Sequence, residues 1–306
     1  MPAVKPRPFD TYTFAPGEVC PFCEITPDAP QGQKGLHWHQ HWNTVGAREY
    51  VTIPLLMAGA LAFQVFVSSE RDADWNSPVL FDGAVRNALR LNSPGGRKTA
   101  RDVSDALFTL SYLHPVLIDN LIVTWGIRES PRVAWQMFVI NAQAYAFTYS
   151  LNTASKRLTS RARPWVERCE ADPSGESCGS GGAYSSFYSG HAAFTATGAG
   201  LVCAHHTQLS LYRNPYLDTG ACALAVLGTA VTGAMRIASD NHWASDVLVG
   251  HLTGYVSGYL LPTLLYYKQF RITPHDDHPG EPAPPTFAVL PVVGPDSAQV
   301  SIVGLL

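Results

Sequence analysis

Three short segments hold side chains that could act together on an anion. In Lys156-Arg-Leu-Thr-Ser-Arg-Ala-Arg163-Pro164, two cations stand seven residues apart before a proline expected to stop a helix. Arg offers a planar fork to phosphate oxygens and Lys a compact point charge. Arg157, Arg161 and Arg168 are expected to add to the positive field. Alone, the segment also reads as a basic cluster facing anionic head groups. Ser189-Gly190-His191 would present backbone N–H groups and the positive end of a helix dipole to an anion. The glycine admits the ligand close to the backbone, and His191 could protonate a leaving oxygen. Alone, such a tripeptide is more often structural. The third segment runs Arg236-Ile-Ala-Ser-Asp-Asn-His242-Trp-Ala-Ser-Asp246. His242 and Asp246 share a face if the segment is helical. The carboxylate is then expected to accept the Nδ1–H of the imidazole, leaving Nε2 free as a nucleophile. A capping Asp beside a surface His is the plainer alternative.

The elements that must position these groups are apolar runs. Tyr50–Val67, Val133–Ser155, Ala192–Tyr212, Thr219–Met235 and Val247–Tyr267 carry no Asp, Glu, Lys or Arg, and Ala192–Tyr212 is interrupted only by the neutral pair His205 and His206. Ser104–Trp125 is a weaker sixth, containing Asp105, His114, Pro115 and Asp119. A membrane crossing needs about 20 apolar residues, so the pattern predicts an all-α, polytopic membrane bundle of about six spans. The chain has 306 residues, 46% hydrophobic and only 15% charged, against about 25% charged in ordinary soluble domains. Polar ends hold the mean hydropathy at +0.01. A soluble all-α enzyme with helices apolar all round is the alternative, kept open by Gln136, Asn141 and Gln143. The expected organisation is a polar N-terminal extension over 1–49, a membrane-embedded catalytic domain over 50–271, and a Pro-rich linker with a C-terminal tail over 272–306. The three segments fall at the end of the third run, the start of the fourth, and the joint between fifth and sixth. Alternating spans would bring them to one membrane face.

Together these segments resemble the type 2 phosphatidic acid phosphatase superfamily, whose pattern is KxxxxxxRP, then PSGH, then SRxxxxxHxxxD. Here the segments read KRLTSRARP, YSGH and MRIASDNHWASD. Tyr188 replaces the proline of the second motif and Met235 the serine of the third. Asp240 adds a carboxylate that would repel phosphate unless it points away. The resemblance implies the four-helix core shared by these phosphatases and haloperoxidases. It also implies a metal-independent phosphomonoesterase or diphosphatase needing no cofactor. His242 would attack phosphorus, oriented by Asp246, to give a phosphohistidine. His191 would protonate the leaving alkoxide, and Lys156, Arg163, Ser189, Gly190 and Arg236 would hold the non-bridging oxygens. A lipid phosphate at the membrane face is the expected substrate. The alternatives are a vanadium-dependent haloperoxidase-like enzyme and a non-catalytic membrane lipid-binding protein.

A net charge of −3 argues against a nucleic-acid partner, so membrane lipids and the substrate are the expected partners. Residues 1–46 show no short apolar core before the first run, which would then act as an uncleaved anchor. The expected location is a bacterial inner membrane with the site facing the periplasm, although the distribution of Lys and Arg gives no clean orientation. Cys169 and Cys178 would form a disulfide if their loop faces an oxidising compartment, and stay free thiols otherwise. Cys203 and Cys222, inside apolar runs, read as packing residues. Cys20, Cys23, His37, His39 and His41 have the composition of a zinc or redox site, but the spacing departs from a usual finger. An ordinary polar extension with interfacial aromatics is the alternative there. FAVLPVV and QVSIVGLL could pair as a short hairpin.

Overall fold

The computed structural model describes residues 35–67, 75–173, 177–178, 181–267, 286–294 and 297–305. Its helices are α1 (Ala47–Phe66), α2 (Asp82–Leu89), α3 (Pro94–Leu113), α4 (Pro131–Thr159), α5 (Pro164–Ala171), α6 (Gly190–Leu209), α7 (Pro215–Ala238) and α8 (Ala244–Tyr255). A π-helical segment, His114–Ile127, prolongs α3, and two more, Val256–Leu260 and Thr263–Tyr267, prolong α8. Each apolar run of the sequence thus falls on one long helical element, with Val67 and the three residues Ser210 to Tyr212 just past the ends of α1 and α6.

Local chemistry sets the helix ends. Asn214 caps α7, its Oδ1 accepting from the N–H groups of Tyr216 at 2.9 Å and Leu217 at 3.2 Å. Helices α3, α4, α5 and α7 all begin with proline, whose missing N–H matters least at that position. Pro164 therefore does not stop a helix, as expected from the sequence; it opens α5. The stop comes earlier, at Ser160, which turns left-handed with φ 39° directly after α4.

Helix α6 lies at the centre, packed against α3, α4, α7 and α8. Ala192, Ala193, Ala196, Ala199, Leu201 and Ala204 along it are wholly buried. Helix α8 meets it through Gly250, Gly254 and Gly258. A Cβ on Gly254 would stand 2.2 Å from the Ala193 carbonyl oxygen, and one on Gly258 would stand 2.1 Å from that of Thr197. Only glycine allows backbones that close. Across the other face, the hydroxyls of Thr148 on α4 and Thr197 share a hydrogen bond of 2.7 Å.

The outside of the bundle is apolar. Leu55, Leu61 and Val65 on α1, Leu121 and Ile122 after α3, and Leu224 and Leu227 on α7 are all exposed. Helices α1 and α7 and the continuous stretch Pro94–Ile127 are long and apolar enough to cross a membrane. A belt of this size facing outward belongs in lipid, and the chain is an integral membrane protein. Cys203 and Cys222 depart from the packing role expected of them. Antiparallel α6 and α7 bring their Cα atoms to 4.6 Å, and the two are joined as a disulfide. Phe270–Leu306 is a separate unit, in which β1 (Thr286–Gly294) pairs antiparallel with β2 (Ser297–Leu305), Thr286 opposite Leu305.

Candidate active site

At one end of the bundle, α4 finishes, α6 and α8 start and α7 finishes. This brings Lys156, Arg163, Ser189, Gly190, His191, Arg236, His242 and Asp246 to the same end. Gly190 lies so near α4 that a Cβ there would stand 3.0 Å from Asn152 Oδ1 and 3.3 Å from Lys156 Nζ. The glycine is thus required for the ammonium to sit at the start of α6. Asn152 fixes that approach, donating from Nδ2 to the Tyr188 carbonyl at 2.8 Å. Ser189 caps α6, its Oγ accepting from the Ala192 N–H at 3.4 Å. Arg163 donates from Nε to the Gly182 carbonyl at 2.9 Å. Burial pushes its guanidinium down to about 10, against the pull of Asp246, so it stays charged at neutral pH.

His242 precedes α8, so it does not share a helical face with Asp246 in the expected way. Its Nδ1–H donates to the Ser186 carbonyl at 2.9 Å, while Asp246 Oδ2 lies 3.6 Å away. The carboxylate was expected to take that proton; a carbonyl takes it because the carboxylate is engaged elsewhere. Asp246 accepts from Ser186 Oγ at 2.6 Å, from the Trp243 N–H at 3.0 Å and from Arg161 Nη1 at 2.5 Å. The chemical result is preserved. A carbonyl only accepts, so Nδ1 carries the proton and Nε2 keeps its lone pair. Burial, and then the charges of Arg163, Arg236 and Lys156, hold the His242 imidazole well below its ordinary range. It is a neutral imidazole in a positive field.

Several groups that sequence reasoning passed over build this arrangement. Arg161 does not add to the field as expected, because two carboxylates neutralise it. It is fully buried, donating to Asp82 at 2.6 Å as well as to Asp246, and its guanidinium lies 3.8 Å from the centroid of the Trp75 ring. Burial would raise the Asp82 carboxyl, but hydrogen bonds from Ser245, Val79 and Arg161 outweigh it and hold the group below its ordinary value. One turn on, Arg86 donates to Asp240 at 2.7 Å and also pairs with Glu167. Asp240, wholly buried, is therefore turned away from the anion site. Helix α2 clasps two joints at once. Asp105 on α3 faces the site itself, its Oδ1 lying 2.9 Å from His191 Nε2 and 3.3 Å from Arg236 Nη1. Aspartates and arginines at helical spacing look like surface pairs in a sequence, and only the fold assigns these.

The cysteine and histidine candidates lie apart from this centre. Cys169, in the last turn of α5, is bonded to Cys178, with Cα atoms 5.5 Å apart. Cys20 and Cys23 fall outside the described residues. His37, His39 and His41 sit at the far end of the bundle, where the Leu36 N–H donates to Ser130 Oγ at 2.6 Å and Trp38 packs on Tyr267. The structure does not bring them to the site.

Residues 136–270 match the family model of the PAP2 superfamily. That stretch is a PAP2 domain. It contains every one of the eight residues gathered at the site, and the phosphatase class expected from the motifs follows from it. No curated protein sequence matches the chain. Among solved structures, the chain is similar to a transmembrane PAP2 type phosphatidylglycerolphosphate phosphatase from Bacillus subtilis. The sequence identity is 17% and the TM-score 0.45, covering 70% of this chain and 92% of that chain. Asp82, Arg86 and Asp105 stand outside the PAP2 domain yet hold its charges.

Proposed function

We propose that this phosphatase releases phosphate from a lipid phosphate or diphosphate through a phosphohistidine formed on His242 Nε2. The observation that carries the reading is the fixed tautomer of His242, whose Nδ1 is taken by the Ser186 carbonyl and whose ring feels the charges of Arg163, Arg236 and Lys156. In the first step, Nε2 attacks phosphorus, the bond to the ester oxygen breaks, and His191 gives that oxygen its proton. His191 is held down at about 3 by burial and the nearby cations until the bound phosphate dianion offsets them and lets it take up that proton. In the second, a water loses a proton to His191 and attacks the phosphohistidine, restoring His242 and releasing phosphate. Three cations stabilise the charge on the transferring group, which is most of what phosphoryl transfer requires. Ser189 and Gly190 contribute the start of α6 to the same oxygens. Asp246 acts on His242 through Ser186 rather than by direct contact.

The seam between α1 and α4 supports a lipid substrate. At the site end it opens into a cleft of about 520 Å³ bordered by Gln64, Asn152, Lys156 and Arg157. Farther along the same seam is an apolar groove of about 430 Å³, bordered by Leu55, Leu56, Ile140 and Phe147. A head group and an acyl chain need that sequence of surroundings. The site faces the periplasm in this reading, which suits the Cys169–Cys178 bond. Phosphate release from lipid phosphates and diphosphates, measured in detergent without divalent metal, tests the proposal. His242→Ala should lower turnover on the order of 10³-fold or more, and acid-labile phosphate on the wild-type chain should disappear with it. Near-normal turnover in that variant would contradict the mechanism.

A further inference from the structure

At the opposite end of α6 from His191, about 22 Å along the helix, a second cluster of polar side chains lies in the interior. His206 Nδ1 donates to Asp218 Oδ1 at 2.6 Å, which turns Nε2 to the other side of the ring. That Nε2 lies 3.2 Å from Asp119 Oδ1, and His114 Nε2 lies 3.2 Å from the same oxygen. Two imidazole nitrogens thus converge on one carboxylate, and Asp119 is wholly buried. Among the described residues, His114 Nε2, Asp119 Oδ2 and Asp218 Oδ2 make no hydrogen bond. Buried carboxylate oxygens without donors are expensive, and a ring nitrogen facing a carboxylate needs a cation between them, either the proton of the hydrogen bond between His206 Nε2 and Asp119 or a metal ion in its place.

We propose that His114, Asp119 and His206 bind a divalent transition cation of the zinc class, independently of the phosphatase site. The spacing fits such an ion. Zinc holds nitrogen and oxygen at about 2.0–2.1 Å, which places tetrahedral ligand atoms about 3.3 Å from one another. A hydrogen bond also spans 3.2 Å, so that distance admits either a proton or the metal, whereas the 2.6 Å contact of Asp218 with the other side of His206 has room for a proton alone. The three ligand atoms lie within 4.8 Å of one another. Asp218 behind His206 supplies the carboxylate that orients a ligating imidazole and strengthens it as a donor. Two imidazoles and carboxylate oxygen favour zinc-class ions over magnesium or calcium. The ion would tie the joint of α3 and its π-helical extension to the end of α6 and the start of α7. His114, one-third exposed, gives it an entrance.

The test uses the full-length chain purified in detergent, stripped with chelator and titrated with Zn²⁺ or Co²⁺. The expected result is about one equivalent bound, with visible Co²⁺ d–d bands and no thiolate-to-metal band. His114→Gln should weaken Zn²⁺ binding at least tenfold while phosphate release is kept, and Cys20→Ser/Cys23→Ser should leave the metal in place. A wild-type chain that binds neither ion overturns the proposal. So does metal that stays with His114→Gln, or that shows thiolate ligation and leaves with the two cysteines.

Discussion

A hydroxyl and a carbonyl on one residue, Ser186, connect the carboxylate of Asp246 to the imidazole of His242. This link was not legible in the sequence, where the spacing of His242 and Asp246 suggested direct contact. The eight ligand and catalytic candidates were legible, because each lies in a short segment whose internal spacing survives without any fold. The depressed imidazole has a measurable consequence. An unfolded imidazole titrates near 6.5, whereas folded His242 titrates well below its ordinary range. Between those two values the unfolded chain binds more protons. The contribution of this residue to stability is therefore full above about pH 6.5 and lost as pH falls toward the folded value. The same shift keeps Nε2 unprotonated in mild acid. The acid limb of kcat/KM, corrected for the second ionisation of the substrate near about pH 6, should thus fall below the ordinary imidazole range. A profile of phosphate release against pH that places it at or above that range contradicts the environment described for His242.

Helix α2 works by pairing its carboxylate and its guanidinium with other elements instead of with each other. Asp82 takes Arg161 from the joint of α4 and α5, and Arg86 takes Asp240 from the joint of α7 and α8. From sequence alone Asp82 and Arg86 have the spacing of a solvated pair, which is why they pointed to nothing. Long apolar runs were easier to read, since hydrocarbon imposes one length on every crossing. Replacing Arg161 with Met should destabilise the chain by about 3–5 kcal/mol, because Asp82 and Asp246 would remain buried without their cation. Adding Asp82→Asn should recover part of that loss. Unfolding in detergent, followed by circular dichroism, measures both. An unchanged midpoint in Arg161→Met would mean that the two carboxylates find other partners.

The molecule as a whole presents lipid with the exposed faces of α1, α7 and the stretch from Pro94 to Ile127. It should remain with membranes through an alkaline carbonate wash and leave them only with detergent; release by carbonate alone would contradict an integral chain. The inner helix α6 reads as a span too, but its faces are spent on α3, α4, α7 and α8, so hydropathy alone overstated how much of it meets lipid, while α4 and α8 keep exposed apolar residues such as Trp135 and Leu252. Cys203 and Cys222 were misread for a related reason: apolar flanks say that a cysteine is inside and nothing about its neighbour. The matched stretch 136–270 also stops short of Asp82 and Arg86. Excised at those limits, it would keep Arg161 with Asp246 but lose Asp82, and would part Asp240 from Arg86. The portion that bears the chemistry is not portable, and grafting it elsewhere requires bringing along the upstream stretch from Asp82 as its electrical ground.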